Sequence, residues 1–173
     1  MDESIVMKKL AGCLCCLVVL YVSQVYAQLP AVLGVWEFDK QASTLLEGFP
    51  LASEIRSYDL RDDGYLVNIV IRQLENGHPD FIQVVSKSDG KDYPQYQSFP
   101  LAEFQVNGTT TQFTYSETVI DDRSVSIVAK FNGQVNNTGT RSISADGKTM
   151  TIDVNAIFPD GQEIPFQLIF RRL

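Results

Sequence analysis

The sequence predicts an all-β fold, an antiparallel up-and-down β-barrel of about eight to ten strands with at most one short helix between the first two strands. Three observations predict it. Turn dipeptides recur at nearly constant intervals, the segments between them alternate apolar and polar residues, and few connections are long enough to cross between sheets. Consecutive short hairpins build a meander.

The turn signals are Asn-Gly and Asp-Gly pairs, which accept the positive φ of tight hairpins. Three recur at 13-residue intervals and three at 14-residue intervals: Asp63-Gly64, Asn76-Gly77, Asp89-Gly90, then Asn132-Gly133, Asp146-Gly147, Asp160-Gly161. Asn107-Gly108 and Asp121-Asp122 fill the interval between the two sets. Eight turns after a strand near 54–62, with segment 33–39 in front, give up to ten strands, of which 98–108 is a weak one.

The alternation of apolar and polar residues predicts which face of each strand is buried. In 65–74, we expect Tyr65, Val67, Ile69 and Ile71 to face the core and Asn68 and Arg72 to face away from it. Segments 123–131, 148–158 and 162–172 alternate in the same way. Their expected inward residues are Val125, Ile127, Ala129, Phe131, Met150, Ile152, Val154, Ala156, Phe158, Ile164, Phe166, Leu168 and Phe170.

Closure into a barrel is favoured over a two-sheet sandwich. A Greek-key sandwich needs long returns between sheets, and only 40–53 and 97–110 are long enough. An open meander of this many strands would leave two bare edges, which closure removes. A short helical turn near 42–47 is the best helix candidate.

Residues 1–27 are predicted to be a signal peptide, and residues 28–173 a single domain. Lys8 and Lys9 precede an apolar run from Leu10 to Val22, and Val25-Tyr26-Ala27 supplies a cleavage site after Ala27. A start at Met7 would give the usual Met-Lys-Lys opening. Cys13 follows Leu-Ala-Gly as in a lipoprotein box, but that box should follow the apolar run rather than precede it. We expect a secreted or periplasmic bacterial protein.

All three cysteines lie in the predicted signal peptide, so the mature domain would depend on no disulfide and would contain no thiol. The formal charge is −7 and is unchanged by removal of that peptide. An acidic surface argues against nucleic acid and anionic membranes as partners. We expect no stable membrane insertion after signal cleavage.

Gly34-Val35-Trp36 lies in the first predicted strand and resembles the Gly-x-Trp signature of lipocalins and related calycin barrels. In that family the Trp closes one end of the barrel, and an Arg from near the C-terminus packs across it. The resemblance implies Gly34, Trp36 and Arg172 as barrel-closing residues, because Arg172 shares strand parity with Phe170. Guanidinium over indole is a favourable cation–π arrangement.

Most of 33–172 also resembles a group of small exported bacterial lipocalin-like proteins of unestablished function. The matching stretches are 89–94 (DGKDYP), 139–141 (GTR) and 144–149 (SADGKT). The second lipocalin motif, a Thr-Asp-Tyr type loop, is absent, so lipocalin-like is the appropriate description.

An aromatic-rich middle supplies the candidate ligand-binding residues, because aromatic side chains at a barrel mouth bind apolar or planar ligands. The candidates are Tyr65, Tyr93, Tyr96, Phe113 and Tyr115, although such residues also pack ordinary cores. Arg72, Gln83 and Lys87 could line an interior.

No catalytic residue, metal ligand or cofactor is predicted. His78, the only histidine, lies in a turn, and Asp59, Asp62 and Asp63 lack calcium-loop spacing. The acids Glu37, Glu54, Glu103, Glu117 and Asp153 are expected on outward strand faces rather than as catalytic pairs.

The leading expectation for function is a binding protein that holds a small, largely apolar or planar molecule in the barrel, entered at the end away from Trp36, with 97–110 as a lid. About eight strands enclose space for one such ligand. A structural or protein-interaction barrel would instead have a filled interior and an exposed apolar patch. An enzyme would need two or more titratable side chains in the cavity.

Overall fold

The structure of the protein is a computed structural model that describes residues 29–97 and 113–173. The predicted signal peptide lies outside the described residues, as do the predicted 98–108 strand and nearly all of the predicted lid. The described part has one short helix and ten strands: α1 (Leu29–Val32), β1 (Gly34–Phe38), β2 (Leu51–Leu60), β3 (Leu66–Leu74), β4 (Pro79–Ser86), β5 (Tyr93–Gln97), β6 (Phe113–Val119), β7 (Ser124–Phe131), β8 (Gln134–Ile143), β9 (Thr149–Ile157) and β10 (Glu163–Arg172). None of its helices is long and apolar enough to cross a membrane.

The ten strands form a closed antiparallel barrel in which every strand pairs with its neighbours in the chain. β1 closes the barrel against β10, with Trp36 opposite Arg172 and Phe38 opposite Phe170. The predicted up-and-down barrel is therefore confirmed, and the sandwich alternative is excluded. Closure leaves no unpaired strand edge in the sheet.

The long connection between β1 and β2 contains turns and no helix. Thr44 forms an isolated antiparallel bridge with Gln167 of β10, and its backbone N–H donates to the Gln167 carbonyl at 2.9 Å. The candidate helix at 42–47 is therefore absent, because this segment pairs with the barrel wall. The short helix α1 instead precedes β1.

The hairpin between β7 and β8 shows why the predicted turn dipeptides end the strands. Asn132 has a φ of 50° and Gly133 a φ of 77°, so both residues lie in the left-handed region. A two-residue turn of this kind matches the twist of the strands on either side of it. Asn and Gly are the residues that adopt this conformation with least strain.

The predicted inward faces of β7, β9 and β10 agree with the strand register, but the prediction for β3 is wrong. Ile69 and Ile71 lie on the outer wall, where 38% and 60% of their surface is exposed, whereas Asn68 is buried and Arg72 faces inward. The error arose because both faces of β3 carry apolar residues. The inward face of β3 is instead the one that carries Arg72, whose side chain bonds to Glu54 on the neighbouring strand β2.

One end of the barrel is filled by a core of large side chains around Trp36, Met150 and Phe170, all fully buried. The Trp36 indole N–H donates to the Val32 carbonyl at 2.7 Å, which ties α1 to this end. The Arg172 guanidinium lies 4.2 Å from the indole centroid. Large side chains therefore fill the barrel interior around Trp36 within the described residues.

Arg172 also joins the segments around the filled end through its hydrogen bonds. It donates to the carbonyls of Ala31 and Gly147, each at 2.6 Å, and to that of Leu33. Each acceptor is a backbone oxygen next to the closing strands. The side chain that stacks on the indole therefore also fixes the backbone around it.

Candidate functional site

A cavity of about 340 Å³ lies inside the barrel, between the filled end and the opposite rim. Its volume falls within the range of small-molecule sites, roughly 300–1,000 Å³. The walls are mainly apolar and include Val84, Ile127, Val154, Phe166 and Leu168. Leu46 and Phe49 of the β1–β2 connection border it at the rim end, so the space lies on the side expected for an entrance.

Of the five aromatic candidates, Phe113 and Tyr115 line the cavity. Tyr96 lies on the outer wall with 65% of its surface exposed, because Gln95 and Gln97 take the inward positions of β5. The strand parity of Tyr96 therefore points its ring away from this cavity.

Tyr65 and Tyr93 are not among the residues that line this cavity, and they pack against each other. Their rings meet edge to face with centroids 6.0 Å apart. The Lys87 ammonium lies 4.4 Å from the Tyr65 ring centroid. Lys87 therefore stacks on Tyr65, and the Tyr93 hydroxyl donates to the Asp89 carboxylate.

Glu54 on β2 is fully buried and is held by two arginines, one on the same strand and one on β3. Arg56 donates to one of its carboxylate oxygens and Arg72 to the other. Arg72 also lies 3.7 Å from the Asp80 carboxylate. Arg56 and Arg72 both line the cavity, so this cluster forms part of its wall.

A second buried cluster surrounds Glu117. Arg141 donates to both carboxylate oxygens, at 2.6 and 3.1 Å, and both side chains are almost completely buried. Tyr115 donates to one of the same oxygens, and Ser88 donates to the other at 3.1 Å. The cavity-lining Tyr115 is thereby fixed in orientation by an ion pair behind it.

The pKa directions follow from these contacts. Burial alone would raise the pKa of the Glu54 carboxyl, but the charges and hydrogen bonds of Arg56 and Arg72 outweigh it, so that pKa is lowered. Burial and the adjacent Glu117 charge raise the pKa of Tyr115 well above its usual value. Glu54 is therefore ionised and Tyr115 neutral at neutral pH.

Charges of opposite sign match inside the barrel. Arg56, Arg72 and Arg141 are the guanidiniums of the two clusters, and Glu54, Asp80 and Glu117 are their carboxylates. Buried charges are tolerated when they are paired and hydrogen-bonded. The clusters therefore contribute a polar wall whose charges cancel.

Two asparagines that line the cavity have a buried side-chain oxygen with no hydrogen-bond partner among the described residues. They are Asn68 on β3, whose surface is 6% exposed, and Asn136 on β8. A buried acceptor without a donor costs about 1–3 kcal/mol.

Asn136 reaches the cavity because of an irregularity in β8. Ala129 of β7 pairs with Asn137, but the next residue, Lys130, pairs with Val135, which leaves Asn136 as the extra residue. A bulge of this kind changes the direction of a side chain. Both Asn136 and Asn137 consequently line the cavity.

The tyrosine hydroxyl of Tyr58 is a third buried polar atom, close to the charged clusters. It makes no hydrogen bond of good geometry within the described parts of the chain. It lies near Arg56, however: burial lowers the pKa of that guanidinium, but the Glu54 carboxylate and then Tyr58 raise it above its usual value. The Arg141 guanidinium lies 4.8 Å from the Tyr58 ring.

Sequence reasoning missed the two acid–arginine clusters. Glu54 and Glu117 were expected on outward faces, and the register places both inside the barrel. Arg72 was rightly considered as a lining residue. A usable signal existed in β2, where Glu54 and Arg56 share parity with the buried Tyr58, but without knowledge of the cross-strand partners it reads as a solvated face.

The residues weighed for metals remain apart from the cavity. His78 is exposed in the β3–β4 turn, where its backbone N–H donates to the Asn76 side chain at 3.0 Å. Asp63 accepts from the Tyr65 backbone N–H at 3.3 Å. Within residues 29–97 and 113–173, no three His, Cys, Asp or Glu side chains are grouped to hold a metal ion.

The outer wall of β1–β4 carries exposed apolar side chains. Ile55 on β2 lies opposite Ile71 on β3, and Val35 on β1 is also partly exposed. These residues share the outward parity of Ile69. They form the exposed apolar patch that the interaction-module alternative expects.

Comparison with known proteins gives no family for this chain. No protein-family model matches it, and no curated protein is similar to it.

Proposed function

We propose that this protein is an exported, lipocalin-like binding protein that holds a small, largely apolar or planar molecule in the barrel interior. The observation that supports it most strongly is the cavity of about 340 Å³, with mainly apolar walls and a few polar lining residues such as Gln95 and Asn137. Ligand sites combine such walls with a few well-placed polar groups. The ligand enters from the rim away from Trp36.

The filled end supports the likeness to calycin barrels. Trp36 is fully buried, and Arg172 stacks on it at 4.2 Å. This arrangement corresponds to the barrel-closing role that the Gly34-Val35-Trp36 motif implies. It leaves one end of the interior for packing and the other for binding.

The interaction-module alternative needs two features, of which one is present. The outer wall carries the apolar patch of Val35, Ile55, Ile69 and Ile71, but the described strands enclose a cavity of about 340 Å³. The cavity therefore favours ligand binding over a solid structural barrel.

The enzyme alternative requires titratable side chains inside the barrel, and the clusters around Glu54 and Glu117 provide them. Their pKa directions, however, do not suit proton transfer at neutral pH. A general acid or base works best with a pKa near the operating pH. The pKa of Glu54 is lowered by its two arginines, and that of Tyr115 is raised well above its usual value by burial and Glu117. We infer a positioning role for these clusters and no catalytic activity.

The test is binding of N-phenyl-1-naphthylamine, a neutral planar probe whose fluorescence increases in apolar surroundings. Ala129 lines the cavity, whereas Ala145 is exposed in the β8–β9 turn. Ala129→Phe should abolish saturable binding because the ring occupies the cavity, and Ala145→Phe should leave it unchanged. Equal binding by both variants would place the probe on the outer surface and refute the proposal.

A further inference from the structure

We propose, building on the proposed function, that the cavity takes an amphipathic molecule whose head group is a carboxylate, held by the guanidiniums of Arg56 and Arg72. Among the described residues, these two are the only charged side chains that line the cavity. The acids paired with them, Glu54 and Asp80, do not belong to the lining. The charge that a bound molecule meets on the described wall is therefore positive.

The two signs of charge in the Glu54 cluster differ in their exposure. The Arg56 and Arg72 side chains are 12% and 16% exposed, whereas the Glu54 side chain is 0% exposed. The carboxylate therefore lies behind the guanidiniums as seen from the cavity. The charges of the cluster cancel in sum but not in position, and electrostatic attraction falls with distance. A bound anion can touch the guanidiniums without touching the carboxylate.

Both guanidiniums keep hydrogen-bond donors that Glu54 does not use. Arg56 and Arg72 each donate to Glu54 through Nε, and a guanidinium has four further N–H groups on its two terminal nitrogens. One terminal nitrogen of Arg72 lies 3.7 Å from the Asp80 carboxylate, which is beyond ordinary hydrogen-bond distance. A carboxylate has two oxygens that match the fork of a guanidinium. The remaining terminal N–H groups can therefore donate to a carboxylate head group.

Aromatic rings hold the two guanidiniums in place. The guanidinium carbon of Arg56 lies 5.0 Å from the ring centroid of Phe170, and that of Arg72 lies 5.9 Å from the ring centroid of Phe49. Glu54 further fixes both side chains through their Nε groups. Side chains that are already ordered lose less conformational entropy when a ligand binds. The donors are thus set before the head group arrives.

The side of the cavity opposite the arginines is apolar. β7 lies five strands away from β2 in either direction around the closed barrel, and its lining residues are Ile127 and Ala129. Val154 and Phe166 extend this apolar lining onto β9 and β10. A hydrocarbon chain that extends from the head group is removed from water there, which the hydrophobic effect favours. A medium-chain carboxylic acid matches both sides of the cavity.

Three ligands with the same hydrocarbon chain test the head group. Decanoate is an anion at neutral pH, decanamide is neutral and offers a carbonyl acceptor, and decylammonium is a cation with donors only. Their dissociation constants are measured by displacement of N-phenyl-1-naphthylamine from the full chain freed of bound molecules. Ala129→Phe, whose ring occupies the cavity, should abolish the binding of the probe and of each ligand.

Decanoate should bind about 10-fold to 100-fold more tightly than decylammonium, because hydrogen bonds between oppositely charged groups are the strong ones. Decanamide should fall between the two. It can accept from a guanidinium, but it carries no charge.

Two substitutions within the Glu54 cluster should change decanoate binding in opposite directions. Arg72→Gln removes a cationic donor and should weaken binding by at least about tenfold. Glu54→Gln removes the opposing negative charge and should tighten binding by at least about threefold. The same changes at exposed positions, Arg61→Gln and Glu75→Gln, should alter binding by less than about twofold, since salt screens charges at the surface. A purely structural role of the cluster would weaken decanoate binding in both cluster variants.

Three results would overturn this inference while leaving the proposed function intact. They are decanamide or decylammonium binding as tight as that of decanoate, no displacement of a cavity-bound probe by decanoate, and weaker decanoate binding in Glu54→Gln. Failure of the probe to bind, or probe binding that Ala129→Phe leaves intact, refutes the proposed function and this inference together. If Arg72→Gln does not fold, Arg56→Gln takes its place, and the order of the three ligands on the wild type decides without either variant.

Discussion

Removing either member of the Glu117–Arg141 pair should strongly destabilise the barrel. The Glu117 and Arg141 side chains are 1% and 4% exposed, and two hydrogen bonds join them. Taking away one partner leaves an uncompensated buried charge, which costs about 3–5 kcal/mol. We therefore expect that loss of unfolding free energy in Glu117→Leu and in Arg141→Met.

The double variant Glu117→Leu with Arg141→Met should be less destabilised than either single variant, because no charge remains buried. Tyr115 and Ser88 would still lose an acceptor, at about 1 kcal/mol for each hydrogen bond. The pair is thus expected to show strong coupling in a double-mutant cycle. This result would show that the buried charges of Glu117 and Arg141 stabilise each other.

The assay is urea unfolding followed by tryptophan fluorescence, which reports on Trp36 in the core. At an m-value of about 2 kcal/mol/M, each single variant should lower the midpoint by about 1.5–2.5 M. The m-value must remain unchanged for the comparison to hold. Single-variant losses under about 1 kcal/mol, or a double variant that shows their sum, would refute the reasoning.

Three further predictions concern other parts of the barrel. The pKa of the Glu54 carboxyl is lowered in the folded state from its ordinary value of 4.5, so its ionised form contributes stability that is present above about pH 4.5 and lost as the pH falls through the folded-state pKa. The difference in unfolding free energy between the wild type and Glu54→Gln should therefore narrow below about pH 4.5. A difference that stays constant with pH would contradict this. Arg172→Met should cost at least about 2 kcal/mol, from the cation–π contact and the hydrogen bonds to carbonyls. Arg171 is adjacent and exposed, so Arg171→Met should cost under about 1 kcal/mol. Equal losses of unfolding free energy for Arg171→Met and Arg172→Met in urea would argue against the closing role of Arg172. Gly139→Ala would place a methyl group 2.2 Å from a backbone oxygen of β9, so we expect a loss of about 1–3 kcal/mol in thermal unfolding, and an unchanged midpoint would show that β8 and β9 can separate without cost.

The overall fold could be predicted from the sequence because its signals are local. Asn132-Gly133 places a tight turn through the φ preferences of two residues. The alternation in β9 and β10 has apolar residues on one face only, so the inward face follows directly. In-order pairing and the avoidance of bare edges then favour closure.

The candidate site could be predicted only in part because it depends on contacts between residues that are far apart in the sequence. β3 has apolar residues on both faces, and its inward face is decided by Arg72 meeting Glu54, 18 positions earlier in the chain. Glu117 on β6 and Arg141 on β8 likewise meet over the intervening strand β7, 24 positions apart in the chain. Asn136 faces the cavity because of a bulge that no turn signal marks.

The most direct test of ligand binding is native mass spectrometry of the mature protein purified from its own host under gentle conditions. The account predicts a non-covalent additional mass on the wild-type chain and on Ala145→Phe, lost on denaturation and absent from Ala129→Phe, whose new ring fills the cavity. Wild-type protein that appears only at the mass of the bare chain, or an additional mass retained equally by Ala129→Phe, would contradict it.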